Sequence, residues 1–389
     1  MKILAIANRI PARGKKGDQI ISFERLIYLA KNNCTIELVC FGNAAEAEVI
    51  NSKMELEGYG IKVHLIKWSR LEAICNLLLA TLNAKIPFQV ALYKSRSFAS
   101  QTKSLLKIFQ PNYLYLVTIR PALNVDLNTP FILDMVDSMG LNLSRRLTLQ
   151  RGIKRWILSF EKIRVSAYEK LLANWSKHSF LVSQIDLKYI GMNTISALPL
   201  GVDRNTFFRR NTPSSTPTVI FTGNMNYQPN IDAIIWFVNN CWDQIRFAVP
   251  YASLKVVGAN PSQGVLGLAS DQRGIFVTGR VESVALEINS SHVSIAPMQS
   301  GSGMQFKILE AMACGVPVVA TRLGLGDIAA QPDFEIVLGD SANEFSEQVI
   351  KLIQSPHICR EIGVRALRFI DLNHSWNAIN HQFLSKITA

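Results

Sequence analysis

The fold is decided by the stretch Pro297-Met-Gln-Ser-Gly-Ser-Gly-Met-Gln-Phe-Lys-Ile-Leu-Glu-Ala-Met-Ala-Cys-Gly-Val-Pro-Val-Val-Ala-Thr321. An apolar run at 292–296 precedes it, and within it a loop of Gly and Ser leads into a nearly uncharged segment that ends at Gly315 before a second apolar run. This order of strand, small-residue loop, helix and strand is typical of parallel-sheet α/β proteins. It predicts strands at 292–296 and 316–320, with a helix at 304–314 between them.

The same stretch also carries a candidate phosphate site. A Gly/Ser loop before a helix N-terminus exposes backbone N–H groups and the positive end of a dipole, which suits a diphosphate. From 304 to 320 the only charged residues are Lys307 and Glu310, which lie three apart and share one helical face. A lysine can neutralise a phosphate oxygen, and a carboxylate can accept hydrogen bonds from sugar or ribose hydroxyls. The pair indicates a nucleotide-sugar site; the alternative is a surface salt bridge worth a few tenths of a kcal/mol.

Similar units extend on both sides of this stretch, as short apolar runs alternating with amphipathic helical segments. Strands are predicted at 2–7, 35–41, 61–66, 113–119, 130–136, 179–183, 194–198, 218–222, 253–258, 275–278 and 334–338. A basic helical region is expected from about 142 to 177, and further helices are predicted at 230–247, 282–290, 343–354 and 357–371. The fold class is therefore α/β, with two doubly wound Rossmann-like lobes facing a central cleft.

We expect three parts along the chain. An N-terminal domain spans 1–200, a second domain spans 201–372, and 373–389 is a helix that crosses back to the first domain. The polar, Ser/Thr/Pro-rich stretch 211–218 is the expected linker. A length of 389 residues, 48% of them hydrophobic, is enough for two such cores.

Charge is distributed unevenly between the two halves. Residues 1–200 contain 27 Lys and Arg against 14 Asp and Glu, whereas 201–389 contain 14 against 15. Nine basic residues and two acids fall between 144 and 177, and 73–82 is strongly apolar. Together these segments indicate docking on an anionic membrane, where each basic residue is worth about 1 kcal/mol. The alternative is a solvated basic helix with Leu and Ala packed inward. Nucleic acid is disfavoured, since no known binding module accompanies the charge.

The compartment is inferred from the N-terminus and the cysteines. The apolar run after Lys2 is five residues long, too short for a signal-peptide core, and no segment approaches the roughly 20 apolar residues of a spanning helix. The six cysteines show no metal-ligand spacing. We expect a cytoplasmic protein that is peripheral on the inner face of the cytoplasmic membrane.

The string from Gly303 to Thr321 closely resembles the donor-site signature of the retaining glycosyltransferases of family 4. Two further strings agree, Pro199-Leu-Gly-Val-Asp203 with Phe207, and Phe221-Thr-Gly-Asn-Met225. Gly17-Asp18, followed by Ser22 and Phe23, is similar to the first loop of a subgroup linked to bacterial exopolysaccharide assembly. The resemblance implies a GT-B fold and a hexosyltransferase of bacterial cell-surface polysaccharide synthesis. Such an enzyme moves a sugar from a nucleotide diphosphate-sugar to a glycan or lipid-linked acceptor.

The resemblance also implies site residues. Lys307 would contact phosphate, Glu310 the ribose and Arg280 the base pocket, while the whole donor set is Gly223, Arg280, Ser300, Gly301, Ser302, Gly303, Lys307 and Glu310. The acceptor side would comprise Gly17, Asp18 and Arg120. Catalytic roles are expected for Lys307, Glu310 and Asp137. Asp137, like Asp134, would contact acceptor hydroxyls or act as a base, or else cap a helix.

The sequence departs from the family's pattern in three respects, which involve four residues. Ser302 stands where the family often has an acid, Asn224 and Gln228 stand where many members have Arg and Lys, and Arg120 stands where many have His. Phosphate charge would then be balanced mainly by Lys307 and the loop amides.

The expected reaction retains the anomeric configuration by front-face displacement, and the departing phosphate helps to take the acceptor proton. The protein would act mainly by positioning and charge stabilisation. No cofactor and no metal are expected, and the chain has no Asp-x-Asp motif. Two other classes stay open: a nucleotide-sugar epimerase on the same scaffold, and a non-catalytic nucleotide-sugar-binding partner.

Overall fold

The computed structural model describes residues 1–13, 17–83, 85–147, 150–210, 214–300 and 304–388. The chain forms two compact units, one of residues 1–199 with 379–389 and one of residues 200–378. The expected linker at 211–218 is wrong, because the passage between the units lies at Pro199 and Leu200. Ser214 is already bound within the second unit, where its N–H donates to Ser290 O (2.9 Å). A polar composition marks a surface loop, and such a loop need not be a domain boundary.

The first unit contains a parallel sheet whose order within the described residues is β3-β2-β1-β4-β5-β6-β7. Its strands are β1 Lys2–Ala7, β2 Thr35–Phe41, β3 Lys62–Ile66, β4 Tyr113–Val117, β5 Phe131–Val136, β6 His178–Leu181 and β7 Ile195–Ala197. Its helices are α1 Gly17–Lys31, α2 Ala47–Gly58, α3 Arg70–Thr81, α4 Phe88–Ala91, α5 Arg96–Phe109, α6 Met139–Leu147, α7 Gly152–Trp175 and α8 Gln184–Ile190, with a 3₁₀ helix at Arg120–Asn124.

Both faces of this sheet are buried. Along β1, Ile3 and Ala5 pack in one hydrophobic cluster, while Leu4 and Ile6 pack in another. Successive side chains of a strand point to opposite faces, so helices must cover both sides, as is usual for parallel sheets. This explains why the strands appear in the sequence as continuous apolar runs.

The second unit contains a parallel sheet with the order β10-β9-β8-β11-β12-β13 over the described residues. Its strands are β8 Thr218–Thr222, β9 Ser253–Val257, β10 Ile275–Gly279, β11 Val293–Ala296, β12 Val318–Ala320 and β13 Val337–Leu338. Its helices are α9 Gln228–Asn240, α10 Trp242–Ala248, α11 Gln263–Leu266, α12 Val284–Asn289, α13 Phe306–Ala313, α14 Arg322–Leu325, α15 Ala342–Gln354 and α16 Pro356–Asn373. The final helix, α17 Trp376–Thr388, places Ile379, Phe383 and Ile387 in a core cluster of the first unit.

The single helix expected at 230–247 is wrong. Cys241 (φ −119°, ψ −37°) separates α9 from α10, and the indole of Trp242 is fully buried, where its N–H donates to Arg273 O (2.8 Å). The apolar spacing continues across the break, so periodicity alone does not reveal it. No helix within the described ranges is long and apolar enough to span a membrane.

Candidate functional site

The candidate donor site lies at the carboxyl edge of the sheet in the second unit. The order of strands reverses between β8 and β11: β9 and β10 follow on one side, and β12 and β13 on the other. Ligands of open α/β sheets bind at such a switch point, beyond the carboxyl ends of the strands. Gly223 begins the loop after β8, and Pro297 begins the loop that follows β11.

Two glycines bring the loops after β8 and β9 into direct contact. The N–H of Gly223 donates to Val257 O (3.0 Å), and a Cβ placed on Gly258 would lie 1.6 Å from Gly223 O. A Cβ on Gly223 would itself lie 2.7 Å from Nδ2 of Asn230. A side chain at position 258 would therefore collide with the backbone of Gly223, and one at position 223 would collide with the side-chain amide of Asn230. Gly223 therefore lies against Asn230 at this edge of the sheet.

Lys307 lies in the first turn of α13 and is only 7% exposed. Its Nζ donates to Oδ1 of Asn230 (2.6 Å), lies 3.5 Å from Sδ of Met298 and sits over the ring of Phe221, 4.4 Å from the centroid. These partners are an amide oxygen, a thioether and an aromatic face, and none of them is an anion. An anionic ligand at this edge would meet an ammonium that has no acid among its direct partners in the described residues.

Burial shifts the pKa of both charged residues of α13. Loss of solvation lowers the pKa of Lys307 to about 7, and the nearby Glu310 carboxylate opposes this shift. The same loss raises the pKa of Glu310 to about 7, opposed by Lys307. Within the described parts of the chain, Glu310 makes neither an ion pair with Lys307 nor a side-chain hydrogen bond. A surface salt bridge is therefore not what this pair forms, and shifted groups of this kind are typical of functional sites.

Asn230 is a site residue that the sequence analysis missed. It is 6% exposed; its Nδ2 donates to Asn224 O (3.0 Å) while its Oδ1 accepts from Lys307. The amide thus connects the loop after β8 to the lysine of α13. A signal was present in the sequence, because Asn230 lies at helical spacing from the buried Ala233, Ile234 and Phe237. A polar residue on an apolar helix face needs a polar partner.

The remaining predicted donor residues fall at the same edge or outside the described residues. Arg280 is exposed and directly follows β10, and Ser300 is half-buried in the loop after β11. Gly301, Ser302 and Gly303 lie outside the described residues. Across the ranges described, no group of three or more His, Cys, Asp or Glu side chains is placed to hold a metal ion.

The predicted acceptor residues gather at the carboxyl edge of the other sheet, in the first unit. Loss of solvation raises the pKa of Asp137, as do Asp186 and Asp18, whereas Asn142 and Arg120 lower it. Nδ2 of Asn142 donates to Oδ2 of Asp137 (2.7 Å), and Asp18 pairs with Nε of Arg9 (3.3 Å). Gly17 precedes Asp18 as the first residue of α1. The structure therefore places Asp18 and Arg120 within electrostatic reach of Asp137.

The backbone beside this cluster is strained. Thr118 directly follows β4 and has a φ of +64°. Val136 is the last residue of β5 and has a φ of +68°. β-branched residues rarely adopt this left-handed region, and each such residue costs on the order of 1–3 kcal/mol. Strain of this kind is most often found where a fold must direct neighbouring groups into a site. Here the neighbours are Arg120 and Asp137.

Asp134 does not belong to this cluster, so its expected contact with acceptor hydroxyls is wrong. It is completely buried and forms an ion pair with Arg25, which is equally buried. The hydroxyl of Tyr115 also donates to Oδ2 of Asp134 (2.6 Å). Alternation along β5 directs Asp134 into the core, whereas Asp137 lies beyond the end of the strand.

Comparisons with known proteins match one segment of the chain to a family model. Residues 216–355 match the family model described as Glycosyl transferases group 1. An uncharacterized 44.6 kDa protein in the cps region of Klebsiella pneumoniae is 23% identical over 164 residues, which is 40% of this chain and 42% of that protein. An uncharacterized glycosyltransferase of Methanocaldococcus jannaschii is 31% identical over 107 residues, 26% of this chain and 27% of that protein. The chain thus matches less than half the length of each relative.

A solved structure covers nearly the whole chain. HepE of Anabaena, in complex with UDP and glucose, superposes with a TM-score of 0.67 at 12% identity, covering 99% of each chain. At that identity the likeness shows the fold alone, and it confirms the expected α/β class with two Rossmann-like lobes. The chain therefore has the GT-B fold, and its residues 216–355 form a domain similar to the group 1 glycosyltransferases.

Proposed function

We propose that this protein is a retaining glycosyltransferase that moves a hexose from a nucleotide diphosphate-sugar to a glycan or lipid-linked acceptor in bacterial cell-surface polysaccharide synthesis. The observation that carries the proposal is the buried Lys307, held by Asn230 at the switch point without an anionic partner among the described residues. Lys307 lies within residues 216–355, the segment that matches the family model of the group 1 glycosyltransferases. The crystal structure of HepE with UDP and glucose supports a nucleotide-sugar donor, and the relative from a cps region supports a polysaccharide product.

The proposed chemistry needs little more than charge and position. Lys307 would carry the charge of the departing diphosphate, Glu310 would accept hydrogen bonds from the ribose, and Arg280 would border the base. In a site that excludes water, donors aimed at developing charge give the largest part of the rate. Asp137 and Arg120 would orient the acceptor. Neither a cofactor nor a metal is part of this proposal.

A donor panel tests the function. Purified protein is incubated with UDP-, GDP- and TDP-sugars, with and without membrane extract, and nucleotide release and product anomeric configuration are followed by NMR. We expect release with one donor class, dependent on extract, and a product with the donor's configuration. Conversion of the donor sugar without extract would instead identify an epimerase. Donor binding without any turnover would identify a non-catalytic partner.

We further propose that the first unit docks on an anionic membrane through a surface formed by α3 and α7, the α3/α7 face. Nη2 of Arg164 in α7 donates to Ala80 O (2.8 Å) and Asn83 O (2.9 Å), which holds the end of α3 against α7. The exposed apolar side chains of the face, each at least 46% exposed, are Leu71, Ile74, Leu78, Leu79, Leu82, Ile153, Trp156, Ile157 and Ile163. Apolar patches of this extent are rare on proteins without a partner surface.

The charge of this face is more one-sided than the sequence suggests. Both acids of 144–177 are buried: Glu161 accepts from the N–H of Phe88 (3.0 Å), and Glu169 accepts from that of Met139 (2.6 Å). One of the nine basic residues, Arg164, is buried too, so the expected cluster loses one surface charge. The basic side chains that remain exposed in α7 and at its ends are Arg151, Lys154, Arg155, Lys170 and Lys177. Apolar side chains with exposed cations match an anionic bilayer surface.

Vesicle binding tests this docking. We expect sedimentation with vesicles containing anionic phosphatidylglycerol but not with neutral phosphatidylcholine vesicles, and a decrease as salt is added. The double variant Ile153→Ser with Trp156→Ser should bind anionic vesicles at least tenfold more weakly. Each substitution removes an apolar side chain whose burial in the membrane contributes about 1.5 kcal/mol or more to binding. Phe247→Ser, which removes a 90% exposed aromatic from the second unit, is the control and should bind like the wild type. Equal binding to both vesicle types would refute the docking surface.

A further inference from the structure

A cavity of about 630 Å³ lies in the first unit at the carboxyl ends of β1, β2 and β3, which are neighbours in the sheet. Phe41 and Val49 contribute apolar surface to it, and Lys67, Trp68 and Arg70 come from the segment that joins β3 to α3. None of these residues belongs to the donor site or to the expected acceptor residues. The cavity is large enough for a saccharide of one or two rings.

Three cations line this cavity, Arg9, Lys67 and Arg70, and of these only Arg9 has an ion-pair partner among the described residues, Asp18 (3.3 Å). Lys67 and Arg70 are exposed, and neither forms an ion pair or a side-chain hydrogen bond with any residue that the structure describes. Arg70 is the first residue of α3, where the helix dipole disfavours a positive charge. The nearest acid in sequence, Glu72, is occupied, because its Oε1 accepts from the N–H of Arg96 (2.7 Å).

The two acids that line the cavity, Glu46 and Glu48, in contrast have a structural role at the N-terminus of helix α2. Glu46 is the N-cap residue of α2 and Glu48 lies in its first turn, where negative charge is stabilising. Nδ2 of Asn43 donates to Oε1 of Glu46 (3.3 Å). Lys67 and Arg70 therefore favour an anionic ligand in this cavity. The carboxylates can accept hydrogen bonds from the hydroxyl groups of that ligand.

Trp68 adds the third element of a saccharide site. Its indole N–H donates to Leu92 O (3.2 Å), which fixes the ring, and yet the residue stays 38% exposed. A fixed and partly exposed indole offers a flat apolar face beside polar groups. Sugars have such a face too, formed by their axial C–H groups, and stacking on it leaves their hydroxyls free for Glu46 and Gln19 at the wall.

We propose that this cavity binds an anionic saccharide, with Lys67 and Arg70 on its phosphate or carboxylate group and Trp68 against a sugar ring. Its designation as the acceptor of the transfer rests on the proposed function, whereas the binding itself does not. Two sources share this chemistry: a lipid-linked sugar carrying phosphate, and a glycan containing a uronic acid. Arg9 joins the cavity to the acceptor cluster, since it lines the cavity and pairs with Asp18 (3.3 Å).

Calorimetry with four defined probes tests the proposal: glucose 1-phosphate, glucuronic acid, glucose and inorganic phosphate. We expect at least one of the two anionic sugars to bind with millimolar affinity or better, more tightly than glucose and more tightly than phosphate. Tighter binding of glucose 1-phosphate points to the phosphate-linked source, and tighter binding of glucuronic acid points to the uronate. Saturation with UDP should leave this binding unchanged, because the proposed donor residues lie in the second unit.

Variants then locate the binding. The double variant Lys67→Gln with Arg70→Gln should weaken it at least tenfold, and Trp68→Leu should weaken it severalfold and remove the accompanying fluorescence change. Lys62→Gln is the matched control, because it removes a cation from the opposite end of β3 and should have no effect. The proposal is wrong if neither anionic sugar binds, if phosphate alone binds as tightly, if UDP displaces the sugar, or if the double variant binds like the wild type. A protein that binds the sugar but turns over no donor would refute the proposed function and leave this site standing.

Discussion

We expect Lys307→Met to lower kcat/KM for the nucleotide-sugar donor by about 10²–10³. In enzymes that stabilise developing negative charge with preorganised hydrogen-bond donors, the loss of one such donor has an effect of this size. It is equivalent to about 2.7–4 kcal/mol of transition-state stabilisation. The fold should survive, because the variant removes a buried ammonium whose desolvation is unfavourable. Oδ1 of Asn230 loses its hydrogen-bond donor, and Glu310, whose pKa is already raised, can stay protonated without the lysine charge. Steady-state kinetics and a thermal unfolding curve measure the two effects.

Lys255→Met is the matched control for this experiment. Lys255 lies in β9 of the same unit and donates to Oε2 of Glu287 (2.8 Å), so the variant also removes a lysine with a defined partner. Its kcat/KM should stay within twofold of the wild type. Full activity in Lys307→Met would remove the residue on which the proposed function depends.

The same lysine should make binding of the nucleoside diphosphate dependent on pH. In the free protein the pKa of Lys307 is about 7, and a bound diphosphate favours the charged ammonium. Above pH 7 the free lysine loses its proton, so binding must take one up and the affinity for UDP falls by up to tenfold per pH unit. Calorimetry between pH 7 and 9, in two buffers of different ionisation enthalpy, measures affinity and proton uptake together. In Lys307→Met both the uptake and this decline should become smaller, and what remains is due to Glu310, whose pKa is also about 7.

Much of the fold could be predicted from local patterns. The apolar runs locate the strands, and α13 begins at Phe306, two residues after the expected start of that helix. Such elements depend on residues that are close in sequence. The lone charged pair Lys307 and Glu310 could be recognised for the same reason, since both residues lie in one short apolar helix.

Contacts between distant residues could not be predicted in this way. Asn230 meets Lys307 across 77 residues of chain, and the cavity around Trp68 exists only because the ends of three strands adjoin. In the sequence Asp134 and Asp137 look alike. Asp134 lies inside β5 and Asp137 lies beyond its end, and the partner that buries Asp134, Arg25, lies 109 residues away in the sequence.

Arg25→Met should destabilise the first unit by about 3–5 kcal/mol. Arg25 and Asp134 are both 0% exposed, and removing one partner of a buried ion pair leaves an uncompensated charge in the core. The guanidinium also lies 4.8 Å from the ring centroid of Phe383 in α17, so the variant loses a cation–π contact too. Urea unfolding followed by circular dichroism gives the difference. Lys53→Met, which breaks the exposed pair with Glu57 in α2 of the same unit, should change the stability by less than about 0.5 kcal/mol.

The double variant Arg25→Met with Asp134→Asn shows whether the loss comes from the unpaired charge. No charge then remains at the site, and the new amide can still accept from the hydroxyl of Tyr115, so we expect a loss smaller than that of either single variant. Additive losses would show that the two side chains stabilise the unit independently.

The ion pair should also influence the acceptor cluster. Asp134 anchors β5 just before the strained Val136 and the cluster residue Asp137. In Asp134→Asn the charge of Arg25 no longer holds this strand end, and strain at Val136 is then free to relax. The donor residues lie in the second unit, so we expect a lower kcat and an unchanged affinity for UDP. Weakened UDP binding in a folded Asp134→Asn protein would show that this core pair does not act through the acceptor cluster.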